Sequence, residues 1–137
     1  MKSGVIPFYR DNKNIIHMYF MVPSDPAYGG IDPQIAKGDV DDGESLREAA
    51  MREGKEELGL REKNVLSVID CGSNSNLKIH VFAAEVANAI KFDKPHFETG
   101  KTHWLTMDKF KIRGRKIHLA AVTQAYQKIQ NYYKGQF

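Results

Sequence analysis

A chain of 137 residues that is 42% hydrophobic suits one domain with its own core, spanning residues 1–137, and excludes global disorder. The net charge is +3, and a single cysteine, Cys71, excludes an internal disulfide and a cysteine-rich zinc site. The N-terminal apolar run is cut by Pro7 and ended by Arg10 and Asp11, too short for a signal core or a membrane span, and no other segment reaches that length. The expectation is a soluble cytoplasmic protein with no membrane partner, and the lone thiol fits a reducing compartment.

In chain order, "SGVIPFYR" and "NIIHMYFMVPS" are rich in β-branched and aromatic residues and flank the turn "DNKN", which predicts a hairpin. "SDPAYGGIDP" has two Asp-Pro pairs and a Gly-Gly and predicts a loop. "QIAKG" reads as a short strand. Residues 45–58 read as a helix: Ser45 can cap it, Glu48 completes a capping box, and Gly59 stands where a left-handed residue closes a helix. "NVLSVIDCG" and "LKIHVFAAEVA" predict two more strands joined through "SNSN". "KFDKPHFETGK" predicts a loop, and "THWLTMDKF" a short strand running into a helix. "IHLAAVTQAYQKIQNYY" has the spacing of an amphipathic helix. The pattern is α+β, a mixed α/β/α sandwich.

The charge is uneven. Nine of the 17 acids lie between Asp39 and Glu62, whereas seven bases and no acid follow Asp108. On a helix, residues three and four apart share a face, so Glu53, Glu56 and Glu57 project together. Like charges so spaced destabilise a helix unless something neutralises them. Arg52 can pair with Glu56, but one cation does not balance three carboxylates. A hard divalent cation does, and magnesium favours oxygen ligands and bridges to phosphates. The basic remainder of the chain can attract an anionic substrate.

The stretch "GDVDDGESLREAAMREGKEELGL", Gly38 to Leu60, resembles the Nudix box G-x5-E-x7-R-E-U-x-E-E-x-G-U, where U is apolar. Every fixed Gly, Glu and Arg position matches, over a long and discontinuous spacing. One position departs: Gly54 stands at the first U. A mid-helix glycine costs roughly 0.5–1 kcal/mol relative to alanine. The expectation is that the helix packs unusually close to the sheet there, or that a bulky neighbour fills the space.

The resemblance implies a mixed sheet between helices and hydrolysis of a nucleoside diphosphate linked to another group, using Mg2+, with Mn2+ as a substitute. By position, Glu53, Glu56 and Glu57 would hold the metal or activate water, and the Gly38 carbonyl would be a further ligand. Arg52 would orient the glutamates, and Glu44 would be an accessory ligand. Members often borrow one more carboxylate from a later loop, and Glu98 is the candidate here, as ligand or base. Lys37 before Gly38 is similar to the Pro-Lys-Gly of family members acting on dinucleoside polyphosphates and RNA 5′ ends, with Ala36 in place of the proline. Lys37 would contact a phosphate, and Tyr28 could stack on a base.

The substrate expectation leans to dinucleoside polyphosphates or ADP-ribose-like compounds. Oxidised nucleoside triphosphates and RNA 5′ ends are the alternatives, with "KFKIRGRK" as a stretch that could hold a phosphate backbone. The competing class is a catalytically silent Nudix module that binds nucleotide or RNA, and the intact carboxylates argue against it. A calcium loop is excluded by the absent EF-hand spacing. His80 and Trp104 read as structural, and His96 and His103 beside Glu98 could help substrate binding, although a residue without that role is the plainer reading for each. Oligomeric state is not legible, although the strand-rich N-terminus could pair with a second copy in a homodimer.

Overall fold

The computed structural model describes residues 1–89, 92–93, 95 and 98–135. The N-terminal hairpin forms as predicted, β1 (Lys2–Arg10) antiparallel to β2 (Ile16–Pro23). Its turn is held by the Asp11 carboxylate, which accepts from the N–H groups of Lys13 and Ile15 at 2.8 and 3.0 Å. Then come β3 (Ala36–Asp39), α1 (Leu46–Leu58), β4 (Ser67–Asn74), β5 (Ile79–Glu85), β6 (Thr99–Leu105), α2 (Met107–Arg113) and α3 (Leu119–Lys134). The predicted loop "KFDKPHFETGK" ends sooner than its composition suggests. Thr99 and Lys101 are drawn into β6 by pairing with Pro23 and Val22 of β2, and tertiary pairing outweighs local turn propensity there.

The sheet runs β4-β5-β1-β2-β6, and β3 joins it beside β1. β1 pairs in parallel with β5 from Lys2 to Phe8. Its other edge is shared: Lys2–Val5 pair with β3, whereas Phe8–Arg10 pair with β2. Pro7, which has no N–H to donate, falls where β1 changes partner. The sheet therefore forks, and β3 occupies the opening. Both edges of the N-terminal hairpin are taken, β1 by β5 and β3, β2 by β6, so it offers no free edge to a second copy.

Alternation along β1 sorts the core into two layers. Val5 faces α1, with Ala36, Ala50, Leu58, Leu60 and Phe82. Ile6 and Phe8 face α2 and α3, with Phe20, Phe110, Val122 and Ile129. The result is the expected α/β/α sandwich.

α1 carries both predicted ends. Ser45 accepts from the Glu48 N–H at 3.0 Å, Glu48 accepts from the Ser45 N–H at 2.9 Å, and Gly59 adopts φ 73°. Ser3 ties the first turn to β1 by donating to the Leu46 carbonyl at 2.6 Å. The middle of the helix lies close on the sheet at Gly54, where a Cβ would fall 2.7 Å from Val5 Cγ1 and 3.4 Å from Leu60 Cδ2. The glycine that departs from the box is thus accounted for by close approach: Val5 and Leu60 occupy the space that a side chain would take.

Candidate active site

The fork in the sheet puts β3 directly against α1. Gly38 lies over Glu53 so closely that a Cβ there would collide with the carboxylate. Glu53 is 8% exposed, which is uncommon for a glutamate. Its charge is answered by Arg52 Nη1, which donates to Glu53 Oε1 at 2.8 Å. The rest of the guanidinium is anchored elsewhere. Nε and Nη2 donate to the two oxygens of Glu44 at 2.9 and 3.0 Å, and Nη2 also donates to the Asp39 carbonyl at 2.9 Å. Such a bidentate fork fixes orientation as well as charge. The predicted partner Glu56 lies farther off, 3.6 Å from Arg52 Nη1, and is exposed. Glu44 serves as the anchor of Arg52 and also accepts from the Asp41 N–H at 3.0 Å.

Glu57 sits one turn beyond Glu53, and its Oε1 accepts from the Lys37 N–H at 2.8 Å. Burial pushes its carboxyl up to about 7, and the charges of Glu53 and Glu98 act in the same direction against that hydrogen bond. Glu53 is raised too, chiefly by burial and then by Glu56 and Glu98, with Arg52 opposing. The Lys37 ammonium is lowered by burial, with Arg115 and Lys2 adding to the effect.

Glu98 comes from the far end of the chain. Ser24 N–H donates to its carbonyl at 2.8 Å, and the next residue, Thr99, donates its hydroxyl to the Glu57 carbonyl at 2.8 Å. These two bonds bring the start of β6 to the C-terminal half of α1. Glu57, Glu98, Lys37 and Tyr28 then line one cleft of about 540 Å³, floored by Gln34 and Ile35. Glu53 lies beneath Gly38 and does not line this cleft. Tyr28, on a short 3-10 turn (Pro26–Tyr28), is 82% exposed.

Three residues have no signal in the sequence. Gln34 is 2% exposed, accepts from Arg115 Nη1 at 3.0 Å and donates to the Gly29 carbonyl at 2.8 Å. His118 is fully buried and accepts from the Ile35 N–H at 3.1 Å through Nδ1. Burial, aided by Lys37 and Arg115, pushes it down to about 3, so it is a neutral prop under the cleft floor. Residues more than 80 positions apart in sequence make the contacts of Gln34 with Arg115 and of Ile35 with His118, so no local pattern announces them.

His80 bonds Asp70 at 2.6 Å and Ser73 at 2.8 Å on the β4–β5 hairpin, away from the cleft. Trp104 packs in a half-buried aromatic cluster with Tyr9 and Tyr19. His96 lies outside the described residues, and His103 lines a second groove taken up below.

Glu53, Glu56, Glu57, Glu98 and the Gly38 carbonyl offer oxygen donors only. Among the described residues no three acidic, imidazole or thiol side chains are already gathered at metal-ligand separation. The carboxylates nevertheless raise one another's proton affinity, and Arg52 answers them only in part. That is the condition a hard divalent cation relieves, so the residues present fit one.

Among the described residues no helix is long and apolar enough to cross a membrane. No curated protein matches the sequence. Solved structures do match the fold. A C. elegans Ap4A hydrolase in a binary complex aligns with TM-score 0.71 at 19% identity, over 98% of this chain and 99% of that one. RenU, a Nudix hydrolase from M. smegmatis, aligns with TM-score 0.75 at 14% identity, over 96% and 85%. The NUDIX domain of Shewanella oneidensis NrtR, complexed with ADP ribose, aligns with TM-score 0.68 at 12% identity, over 93% and 86%. The NUDIX domain pattern itself spans residues 4–126. The chain belongs to the Nudix hydrolase family.

Proposed function

We propose that this chain is a magnesium-dependent pyrophosphohydrolase that cleaves the phosphoanhydride of nucleoside diphosphates linked to another moiety, of the dinucleoside polyphosphate or ADP-ribose kind. The observation that carries the reading is the set of mutually repelling carboxylates, Glu53 and Glu57 with Glu98, beside a cleft that also presents Lys37 and Tyr28. The fold is shared with an Ap4A hydrolase and with a domain complexed with ADP ribose, which is consistent with either substrate.

In this reading Glu53, Glu56, Glu57 and the Gly38 carbonyl would hold Mg2+, for which Mn2+ could substitute. The bound cation would neutralise the diphosphate and acidify a water. Arg52, clamped by Glu44, holds Glu53 in place. Glu98, at the cleft, is a further ligand or takes the proton from the attacking water. Lys37 meets a phosphate, and Tyr28 offers a ring face to the base. Ile35 and Gln34, both buried, floor the cleft. The domain is proposed to work in the cytoplasm.

RNA 5′ ends are the second reading, favoured by the basic run after Asp108. A parallel panel of diadenosine tetraphosphate, ADP-ribose, nucleoside triphosphates and 5′-triphosphorylated RNA, with Glu53→Gln as the blank, decides the class. Preferred release of a nucleotide from either of the first two supports the proposal. Preference for RNA, or rates equal to the blank throughout, overturns it.

A further inference from the structure

Beside the cleft lies a second groove of about 570 Å³, and the two share the wall made by Pro23 and Ser24. Four segments build it: the end of β2, the loop bearing Ile31 and Asp32, β6 with Lys101 and His103, and the end of α2 with Ile112 and Arg113 running on to Lys116. Its charge is one-sided, with the permanent cations Lys101, Arg113 and Lys116 against one carboxylate, Asp32. Among the described residues none of these cations lies within ion-pair distance of an acid. Crowding is felt inside the groove: burial lowers the His103 imidazole, and Arg113 and Lys101 lower it further. A helix C-terminus favours Arg113 by itself. It does not account for Lys101, which arrives on β6 to face the same space, nor for Lys116, which lies beyond the helix end. Ile31 and Ile112 are 74% and 83% exposed and give the groove apolar flanks. Cations with apolar flanks suit a nucleotide, and the volume is that of a small-molecule site.

A substrate with two phosphates could be held by the cleft alone. A chain of four or more phosphates carries charge beyond Lys37 and needs cations farther along. We propose that this groove seats the outer phosphates and second nucleotide of a dinucleoside polyphosphate whose first half occupies the cleft, with Lys101, Arg113 and Lys116 on the phosphates and Ile31 or Ile112 against the base. The assignment rests on the pyrophosphohydrolase reading and narrows it, because the groove adds affinity for long substrates and none for ADP-ribose.

The test compares wild type with Lys101→Glu/Arg113→Glu and with the milder Lys101→Gln/Arg113→Gln, none of which touches the glutamates. Steady-state rates are measured on diadenosine tetraphosphate, ADP-ribose and 5′-triphosphorylated RNA, and tetraphosphate binding is measured by calorimetry. The expected result is a rise in KM for the tetraphosphate of about tenfold or more, steeper at low salt, with kcat within about twofold and ADP-ribose unaffected. Equal losses on both substrates, or none on either, overturn the assignment. So does a loss confined to 5′-triphosphorylated RNA. If the wild type turns over neither compound, the proposed substrate class fails, and calorimetry still decides the groove. Weaker tetraphosphate binding by the charge-reversed variant then supports it, and unchanged binding overturns it. Should the charge-reversed variant misfold, the glutamine pair carries the same comparison.

Discussion

Replacing Gly54 by alanine sets two effects of known size against each other. Alanine favours a helix interior by about 1 kcal/mol over glycine. Against that, the new methyl would lie 2.7 Å from Val5 Cγ1, closer than real Cβ contacts, with Leu60 Cδ2 at 3.4 Å. Val5 is fully buried, β-branched and held in the central strand, so it cannot swing aside cheaply. Overpacking of this kind costs about 1–3 kcal/mol. The net expectation for Gly54→Ala is a loss of about 1 kcal/mol, read from the urea midpoint at constant slope. Val5→Ala alone is expected to cost about 2 kcal/mol from lost buried methyls. Combined, the two should cost less than their sum by about 1–2 kcal/mol, because the methyl added at position 54 fills the space Val5 vacates. Activity should fall further than stability in Gly54→Ala, since lifting the helix displaces the neighbouring Glu53 from under Gly38. If Gly54→Ala stabilises the protein by the full helix-propensity gain and is additive with Val5→Ala, the close-packing account is wrong.

Arg52→Lys keeps the charge but gives up the fork that grips Glu44, Glu53 and the Asp39 carbonyl at once. The expected outcome is a fall in kcat of about tenfold or more with a stability loss of roughly 1–2 kcal/mol, measured by kinetics and thermal unfolding. His118 gives a pH signature. Its folded value is pushed down to about 3, below the ordinary value of 6.5, so between those limits the unfolded chain binds the extra proton. Its contribution is complete above about pH 6.5 and is lost as pH falls toward 3, by up to roughly 1.4 kcal/mol per pH unit. Urea melts at about pH 7, 6 and 5 should show this slope in the wild type, and His118→Asn, which keeps an acceptor for Ile35 N–H, should flatten it. Thr99→Val removes the bond to the Glu57 carbonyl. It should cost about 1 kcal/mol and lower turnover by loosening the approach of Glu98 to α1.

Local signals were legible where the physics is local. The capping box of Ser45 and Glu48, the closing Gly59 and the one-faced glutamates of α1 all follow from helical spacing. The spacing of the box also picked out Glu53, which the fold packs directly under Gly38. Gly54 was legible only as an anomaly, because its cause is a methyl group of Val5, 49 positions earlier. The fork in the sheet was not legible, since β1 divides one edge between β2 and β3 and nothing in "SGVIPFYR" marks the change beyond Pro7. Gln34, Arg115 and His118 were missed for the same reason. Their polar atoms are satisfied across the fold, and a lone buried histidine looks like any other until its partner is seen.

Whether the carboxylates around Gly38 act through a divalent cation is tested most directly by the turnover of diadenosine tetraphosphate. Wild type and Glu57→Gln are each assayed with chelator and then with magnesium restored. The predicted result is no turnover in chelator, full recovery with magnesium in the wild type, and a rate about a hundredfold lower in Glu57→Gln at every magnesium concentration. Wild-type turnover that persists in chelator, or a Glu57→Gln variant as active as the wild type, would contradict it.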